Sequence, residues 1–212
     1  TVFEYGEDMI AVDCGLSFPE DDMLGVDLVI PDITYILKNK EKFRGLVITH
    51  GHEDHIGSIP YFLKQLNTPI YGTKLTLGLI KNKLEEHNLV KSTKLHEVRQ
   101  GHTVKLGCFK IEFIRSCHSI PDSVMLSINT PVGTILHTGD FKIDYTPIDG
   151  KRMDLGRIAE IGNKGILALM SDSTNSERRG YTMSESSVGE VFDKLFMHCS
   201  KRIVVATFAS NV

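Results

Sequence analysis

Short apolar runs, separated by glycine and aspartate, dominate the first half of the chain. Residues 9–13 (MIAVD) and 45–49 (GLVIT) predict strands, and the unbroken apolar run of the second is typical of a strand buried on both faces. Apolar residues at helical spacing predict helices over residues 56–66 and 73–89. Pro60 lies near the start of the first helix, where proline is tolerated. Alternating strands and helices of this kind indicate an α/β protein.

The apolar period changes to two between Thr103 and Asp140, which predicts antiparallel strands. Gly107 and residues 131–133 lie where hairpin turns are expected between those strands. This middle part of the chain therefore predicts a sheet built largely from hairpins.

The last part of the chain returns to an α/β pattern. Residues 165–172 (GILALMSD) predict another buried strand, residues 184–198 an amphipathic helix, and residues 203–208 (IVVATF) a strand after it. Thr182 or Ser184 is the expected N-cap of that helix. The helix and the strand together predict the opening of a separate α/β unit.

Composition places the chain among ordinary globular proteins. Its 212 residues are 41% hydrophobic and 24% charged, which excludes a disordered tail, a collagen-like fibre and a coiled coil. No apolar run approaches the roughly 20 residues of a membrane-spanning helix, and no secretory leader is recognisable, so we expect no membrane association. The four cysteines lie far apart, so we expect free, buried thiols in a reducing cytoplasm. Since the chain begins at Thr1 in strand-like sequence and stops at Val212 after a predicted strand, we also expect a fragment.

The strongest chemical feature is the string THGHEDHIGS at residues 49–58, between a predicted strand and a predicted helix. His50 and His52 alternate along an extended segment and therefore face the same side. Asp54 and His55 fall on the turn into the helix and can point back to the same volume. Imidazoles suit Zn²⁺, and a carboxylate completes or bridges such a site. We therefore expect a metal centre; the alternative is a solvated loop that is rich in histidine.

The string also resembles the HxHxDH signature of the metallo-β-lactamase superfamily. The resemblance implies two more ligands, which His118 in SCHSIPDS and Asp140 in LHTGDF match. The implied ligands of the first metal are His50, His52 and His118. Those of the second metal are Asp54 and His55, and Asp140 is shared between the two metals. A further histidine of the second metal has no counterpart in this sequence.

Two neighbouring residues are expected to lie outside the ligand set. His137 precedes the Thr-Gly-Asp turn and is interpreted as a hydrogen-bonding residue that orients the site rather than as a ligand. Glu53 should point away from the metals because side chains alternate along this segment.

Three longer strings narrow the resemblance. FPEDDMLGVDLVIPD at residues 18–32, RSCHSIPDS at 115–123 and LMSDSTNSERRGYTMSE at 169–185 are similar to the ribonuclease J family, and FASNV extends the similarity to the chain end. That family belongs to the β-CASP branch, in which a second α/β domain is inserted in the metallo-β-lactamase domain. The resemblance implies an αββα metallo-β-lactamase sandwich, incomplete here, over residues 1–183. It implies the start of the β-CASP domain over residues 184–212.

The resemblance also implies roles outside the ligand set. Asp172 matches the acidic residue that this branch uses beside the metals for proton transfer, paired with a downstream histidine; the alternative is a capping or turn aspartate. Ala209, Ser210 and Asn211 match a segment that contacts the RNA backbone, although Ser-Asn after a strand is also an ordinary turn signal. Some members carry a structural Ca²⁺. Its candidate ligands here are Glu20, Asp21, Asp22 and Asp27, and the alternative is a solvated loop.

The implied function is metal-dependent hydrolysis of RNA phosphodiesters, with two Zn²⁺ ions and Mn²⁺ as the alternative metal. The resemblance implies 5′→3′ exonuclease action on 5′-monophosphorylated RNA, endonuclease cleavage, and a role in mRNA decay and rRNA maturation. The implied partners are RNA and further subunits, in a dimer, a tetramer or a complex with a paralogue. The net charge of −3 does not oppose RNA binding, because two Zn²⁺ ions would add +4 at the site.

Two other functions stay open at this point. A small-molecule hydrolase of the same fold, such as a thioesterase, shares the HxHxDH motif, but HSIPD and SDSTN argue against it. A non-catalytic partner subunit would be expected to lack ligands, whereas every ligand expected within this span is present. We also expect the isolated 212-residue chain to be a poor nuclease, since its second metal lacks one ligand.

Overall fold

Ten strands form two five-stranded sheets in the part of the chain that the computed structural model describes, residues 1–207. The strands of the first sheet, in the order in which they pair, are β1 (Val2–Tyr5), β2 (Asp8–Val12), β3 (Phe43–Val47), β4 (Ile70–Gly72) and β5 (Leu95–Glu97). β1 is antiparallel to β2, and the other neighbours are parallel. The two apolar runs near the start of the chain are thus adjacent strands, β2 and β3, as their pattern predicts.

The second sheet is built mainly from hairpins. Its strands are β6 (Thr103–Leu106), β7 (Phe109–Arg115), β8 (Val124–Thr130), β9 (Gly133–His137) and β10 (Ala168–Met170). β6 to β9 are antiparallel neighbours, and the tight turns at Gly107 and at Pro131 confirm the predicted hairpins. β10 joins the far edge parallel to β9.

Six α-helices complete the described part of the chain. They are α1 (Thr34–Lys38), α2 (Glu53–Ile56), α3 (Ile59–Gln65), α4 (Lys74–Glu86), α5 (Leu155–Asn163) and α6 (Ser186–Met197). A 3-10 turn at Lys40–Lys42 precedes β3. The helices predicted over residues 73–89 and 184–198 are confirmed as α4 and α6.

Alternation along β2 shows how the layers form. Met9 and Ala11 pack in a cluster that includes Ile59 and Ile80 of the helices on one side of the first sheet. Ile10, on the opposite face, belongs to a cluster shared with the second sheet. Each face of the first sheet is therefore covered, by helices on one side and by the second sheet on the other.

α5 covers the outer face of the second sheet. Ile161 of α5 packs with Met125 of β8 and Leu136 of β9. The order of layers is helix, sheet, sheet, helix, which confirms the predicted αββα sandwich.

The predicted helix over residues 56–66 is two short helices, α2 and α3. The chain turns at Gly57 and Ser58, and Pro60 occupies the first turn of α3, where its missing N–H costs no hydrogen bond. A Cβ atom at Gly57 would lie 2.4 Å from Leu16 Cδ2, so the bend lets residue 16 pack closely against this turn. The prediction of one continuous helix is wrong because apolar spacing does not register this break.

The buried strand predicted over residues 165–172 is shorter and largely exposed. Only residues 168–170 form β10, and Leu169 is 58% exposed. β10 is an edge strand, because no further strand pairs with it within residues 1–207. A continuous apolar run predicts burial on both faces, but the described part of the chain covers this strand only in part.

The strand predicted over residues 203–208 is not observed over residues 203–207, and Phe208 lies outside the described residues. A strand forms its backbone hydrogen bonds with a neighbouring strand, and residues 203–207 belong to neither of the two described sheets. The N-cap prediction is also wrong. Glu185 occupies the N-cap position of α6 without a capping side-chain bond, while the carbonyl of Ser184 accepts the N–H of Ser187.

Among residues 1–207, no helix has both the length and the apolar character needed to cross a membrane.

Candidate metal centre

The candidate ligands lie where several strands end at one edge of the sandwich. β2 and β3 are parallel to one another, and β7, β9 and β10 share a direction. Each set therefore delivers the residues that follow its strands to one edge. Those residues are Asp13 after β2, His50 after β3, His118 after β7, Asp140 after β9 and Asp172 after β10.

Three imidazoles form the first ligand group. His52 Nδ1 lies 3.1 Å from His50 Nε2 and 3.1 Å from His118 Nε2. One nitrogen of each ring falls within 4.8 Å of the other two. Nitrogens bound to one tetrahedral Zn²⁺ at about 2.0–2.1 Å are about 3.3–3.4 Å apart, so the three rings fit a shared ion.

A second ligand group adjoins the first. Suitable atoms of His50, His55 and Asp140 also lie within 4.8 Å of one another. Asp140 Oδ1 is 3.4 Å from His55 Nε2, and Asp140 Oδ2 is 3.7 Å from His118 Nε2. The two oxygens of Asp140 thus face the two groups, which is the arrangement that a bridging carboxylate needs.

Asp54 is the one predicted ligand that stays outside both groups. Its side chain is 67% exposed, and its Oδ2 is 3.7 Å from His55 Nε2. The structure therefore brings five of the six predicted ligands together and leaves Asp54 at the rim.

Asp13 is a buried carboxylate that the sequence motif does not include. It follows β2 with a backbone φ of +60°, a conformation that few residues other than glycine adopt. Its Oδ2 is 2.8 Å from His55 Nδ1, and its carboxylate accepts the Thr49 backbone N–H and hydroxyl. The bond between Asp13 and His55 keeps a proton on His55 Nδ1. Nε2 then faces Asp140, as in many carboxylate–histidine–metal arrangements. An acidic residue directly after a buried strand beside the His-rich strand is the signal that could have identified it.

The first-group imidazoles are neutral. Burial, followed by the neighbouring His55, lowers the pKa of His50 to about 3. Burial also lowers the pKa values of His52 and His118. Because a metal ion binds the neutral imidazole, these three rings are already in the protonation state that a metal requires.

In the second group, His55 has the opposite protonation to His50. Burial alone would lower the pKa of His55, but its hydrogen bonds to Asp13 and Asp140 outweigh burial and raise that pKa to about 10. The hydrogen bond from His55 lowers the pKa of Asp140 to about 2. The protonated His55 thus directs its Nδ1 proton to Asp13 and its Nε2 proton toward Asp140, and the Nε2 proton is the one that a bound cation would replace. The donor set of both groups fits metal binding.

Gly15 permits the backbone contact that positions α2. A Cβ atom at residue 15 would lie 1.5 Å from the backbone oxygen of Asp54 and 2.6 Å from the backbone nitrogen of His55. On either side of it, Cys14 N–H donates to the His55 carbonyl at 2.8 Å and Leu16 N–H donates to the Glu53 carbonyl at 3.2 Å. Residues 14–16 therefore hold the backbone of α2, and with it His55, in place.

Asp172 lies beside the centre and also bonds to backbone groups. Its Oδ1 accepts the Thr174 N–H at 2.8 Å, and its Oδ2 accepts the Phe141 N–H at 3.5 Å. Its own N–H donates to Thr138 Oγ1. It lines an open cleft of about 500 Å³ together with His118 and Asp140. Both interpretations of Asp172 are therefore present in its geometry, the turn aspartate and the acid beside the ligands.

The other predicted residues are placed as follows. His137 Nδ1 accepts the Gly139 N–H at 3.1 Å, so it braces the turn that leads to Asp140 and belongs to neither ligand group. Glu53 points away and pairs with Lys83.

The remaining candidates add nothing to the centre. Glu20, Asp21, Asp22 and Asp27 are exposed, and within the described residues they form no group that could hold an ion. Ala209, Ser210 and Asn211 lie outside the described residues.

Comparisons with known proteins identify the family of this chain. Residues 1–178 match the family model described as the metallo-beta-lactamase superfamily. The whole chain is 52% identical to ribonuclease J of Synechocystis sp. and 46% identical to ribonuclease J2 of Bacillus subtilis, and it covers 33% and 38% of those proteins. The chain thus spans about a third of the length of the curated relatives that it matches.

A solved structure, of a protein of unknown function from Enterococcus faecalis, is similar over 92% of this chain and 53% of its own, with a TM-score of 0.65 and 16% identity. That likeness supports the fold alone. The family match, the αββα layers and the strand-end ligand groups together show that this chain belongs to the metallo-β-lactamase superfamily.

Proposed function

We propose that the protein is a metal-dependent ribonuclease that hydrolyses RNA phosphodiester bonds. The observation that carries the proposal is the pair of adjoining ligand groups, which share His50 and face the two oxygens of Asp140. Two metals held about 3.5–4 Å apart are a common arrangement for phosphodiester hydrolysis. The names of the relatives, ribonuclease J and ribonuclease J2, support RNA as the substrate.

Zn²⁺ is the proposed metal, with Mn²⁺ as the alternative. The first group offers three imidazole nitrogens, a donor set that suits Zn²⁺ better than hard, oxygen-preferring ions. The second group has one carboxylate for two imidazoles, so it is the position where Mn²⁺ competes best. When bound, the two ions would lower the pKa of a shared water and neutralise charge that develops on the phosphoryl oxygens.

The protein's own residues then orient this chemistry. Asp13 keeps the Nδ1 proton of His55 in place, and Thr49 Oγ1 lies 3.0 Å from His50 Nδ1, so each ring turns its Nε2 inward. Asp140 spans the two groups.

We propose that Asp172 moves a proton at Oδ2. Oδ1 is engaged by a short bond from Thr174, whereas the bond from Phe141 to Oδ2 is long at 3.5 Å. Oδ2 therefore keeps acceptor capacity, and Asp172 lines the cleft. The Asp172→Asn variant separates this role from that of a turn aspartate.

The proposed activity includes 5′→3′ exonuclease action on 5′-monophosphorylated RNA and endonuclease cleavage, in mRNA decay and rRNA maturation. An open cleft beside the ligand groups suits a polymer strand better than the closed pocket of a small-molecule thioesterase. A non-catalytic partner subunit is disfavoured because both ligand groups are present.

We also propose that residues 184–212 begin a second domain and that the protein works in the cytoplasm as a dimer, a tetramer or a complex with a paralogue. The family match ends at residue 178, and α6 buries none of its residues in the described chain. The four cysteines are free thiols, which is consistent with a reducing compartment. The prediction that all four are buried is wrong, because Cys108 is only partly buried and Cys199 is exposed.

The proposal is tested on the full-length protein with three substrates: 5′-monophosphorylated RNA, 5′-hydroxyl RNA and a small thioester. We expect RNA cleavage that prefers the monophosphorylated end, two bound zinc ions and no thioesterase activity. His118→Ala should lose zinc. Its turnover should fall at least as far as it does when a catalytic group is removed, about 10²–10⁴-fold. His102→Ala is the matched control, since His102 is exposed and lies outside both ligand groups. Thioester cleavage without RNA cleavage would refute the proposal.

A further inference from the structure

Asp144 is a buried carboxylate that lies outside the metal centre, four residues after Asp140. Its Oδ2 accepts the backbone N–H of Glu185 at 3.0 Å and the hydroxyl of Ser184 at 2.9 Å. Its Oδ1 accepts the N–H of Thr146 at 2.9 Å. These bonds hold the pKa of Asp144 below its usual range, and the bond from the Glu185 N–H has the largest effect. Asp144 is therefore a charged acceptor for the residues that precede α6.

A second contact joins the same two segments. Lys142 Nζ pairs with Glu185 Oε1 at 2.7 Å, and the Lys142 side chain is only 15% exposed. The backbone N–H of Lys142 donates to the Cys117 carbonyl at 2.7 Å, next to His118. The start of α6 is therefore bonded to the segment that follows Asp140, and that segment is bonded to the His118 loop. We call the bonds of Asp144 and Lys142 to residues 184–185 the Asp144 junction.

The Asp144 junction closes a loop that forms one wall of the cleft. Residues 171–183 leave β10 beside the metal centre, where the Asp172 N–H is fixed to Thr138 Oγ1, and return to the sandwich only at residues 184–185. This loop contributes Ser173, Asn175, Tyr181 and Thr182 to the lining of the cleft, which His118 and Asp140 also line. The loop is thus bonded at both ends. At its second end the Asp144 carboxylate accepts from Ser184 and Glu185, Lys142 pairs with Glu185, and Thr146 exchanges hydrogen bonds with the Ser184 hydroxyl.

We propose that Asp144 is a positioning residue, whose carboxylate anchors the loop of residues 171–183 and the start of α6 and so sets the opening of the cleft through which an RNA strand reaches the metals. This inference rests on the proposed function. Asp144 touches neither ligand group, so its loss should alter how a long substrate is held without altering the metals themselves. A small phosphodiester needs no cleft wall and should not respond to the anchor.

The test compares Asp144→Ala with Asp149→Ala in the full-length protein. Asp149 Oδ1 accepts the backbone N–H two residues ahead, as Asp144 Oδ1 does, but Asp149 has no bond to residues 184–185. Four quantities are measured for each variant: zinc content, hydrogen exchange at the Glu185 amide, kcat and KM on RNA, and hydrolysis of bis(p-nitrophenyl) phosphate. Ser184→Ala serves as the milder variant, because it removes only the hydroxyl donor to Asp144, at a partly buried position, and leaves the backbone bond from Glu185 in place.

For Asp144→Ala we expect unchanged zinc content, exchange at Glu185 that is about 10–100-fold faster, and kcat/KM on RNA lower by about the same factor. The loss should fall mainly on KM, and bis(p-nitrophenyl) phosphate hydrolysis should match the unsubstituted protein. Ser184→Ala should change the same quantities in the same direction by less, and Asp149→Ala should change none of them.

Three results would overturn the inference: unchanged exchange at Glu185, equal losses on RNA and on the small diester, or loss of zinc. If the unsubstituted protein leaves RNA intact, the proposed function fails. The exchange measurement then still decides whether Asp144 anchors residues 184–185.

Discussion

Residues 1–163 and residues 164–207 have similar apolar patterns but bury them differently. The buried residues of all three apolar clusters lie in the first region, and Leu126 of β8 is fully buried; from the second region only the partly buried Ile166 packs against a cluster. In the second region Leu169 of β10 is 58% exposed and Phe192 of α6 is 44% exposed. The comparison teaches that periodicity predicts the type of an element, whereas burial depends on whether a partner layer covers it.

The two regions also contribute differently to the candidate site. The first region supplies every residue of the two ligand groups, each fixed after a strand of a covered sheet. The second region supplies Asp172 and the loop that lines the cleft. Stability and metal binding should therefore depend on the first region, and handling of the substrate on the second.

The largest expected effect separates the two regions by stability. Phe113→Ala, at a fully buried position between the sheets, should lower the free energy of unfolding by about 3–5 kcal/mol. Phe192→Ala on the exposed face of α6 should lower it by no more than about 0.5–1 kcal/mol. Urea unfolding of the 212-residue chain measures both. Equal losses would show that α6 is packed as tightly as the sandwich and would break the comparison.

A substitution in the second region should reduce activity and leave stability intact. Asp172→Asn keeps the size of the side chain and an oxygen for the Thr174 bond but removes the charge. If Asp172 handles a proton, turnover should fall about 10²–10⁴-fold, with zinc content and unfolding midpoint unchanged. Steady-state kinetics of the full-length protein, with metal analysis, measure this. A lower melting temperature at near-normal turnover would make Asp172 a turn residue, and loss of metal would make it a ligand or an anchor for one.

A smaller effect is expected at Asp13, the carboxylate of the first region that the sequence motif does not include. Asp13→Asn weakens the bond that orients His55, so affinity for the second metal should fall about 10–100-fold. Affinity for the first metal should be retained, because His50, His52 and His118 make no direct bond to Asp13. Zinc titration calorimetry separates the two binding steps. Equal weakening of both steps would show that Asp13 supports the fold as a whole rather than His55.

The smallest expected effect is a difference in proton release between the two metals. His55 has a pKa of about 10 in the metal-free protein, so at pH 7 the second metal must displace about one proton, and its apparent affinity should rise about tenfold per pH unit. His50, with a pKa of about 3, is already neutral, so the first metal should displace almost none.

Calorimetry in two buffers of different ionisation enthalpy counts these protons. Release of a proton with the first ion and none with the second would reverse the assignment of the protonated group.

The sequence predicts the architecture and most of the site for a physical reason. β2, β3 and the hairpins carry their own periodicity, and the His-rich string is a local motif whose ligands are close in the chain. His118 and Asp140 follow strands, so the sheet brings them to the same edge.

What could not be predicted depends on contacts between distant residues. Asp13 is a lone acid without a motif, and its role appears only when β2 and β3 pair. The break between α2 and α3 reflects the close approach of Leu16 to Gly57. The exposure of β10 depends on which layers cover it, a property that a run of apolar residues does not contain.

The central claim is that strand ends of one sandwich edge hold two adjacent metals. A crystal structure with anomalous data collected at the zinc absorption edge tests it most directly. We expect one peak about 2.0–2.1 Å from nitrogens of His50, His52 and His118, and a second peak beside His55, with Asp140 between them. A single peak elsewhere in the molecule, or His118 turned several ångströms away from His50 and His52 around a bound ion, would contradict the account.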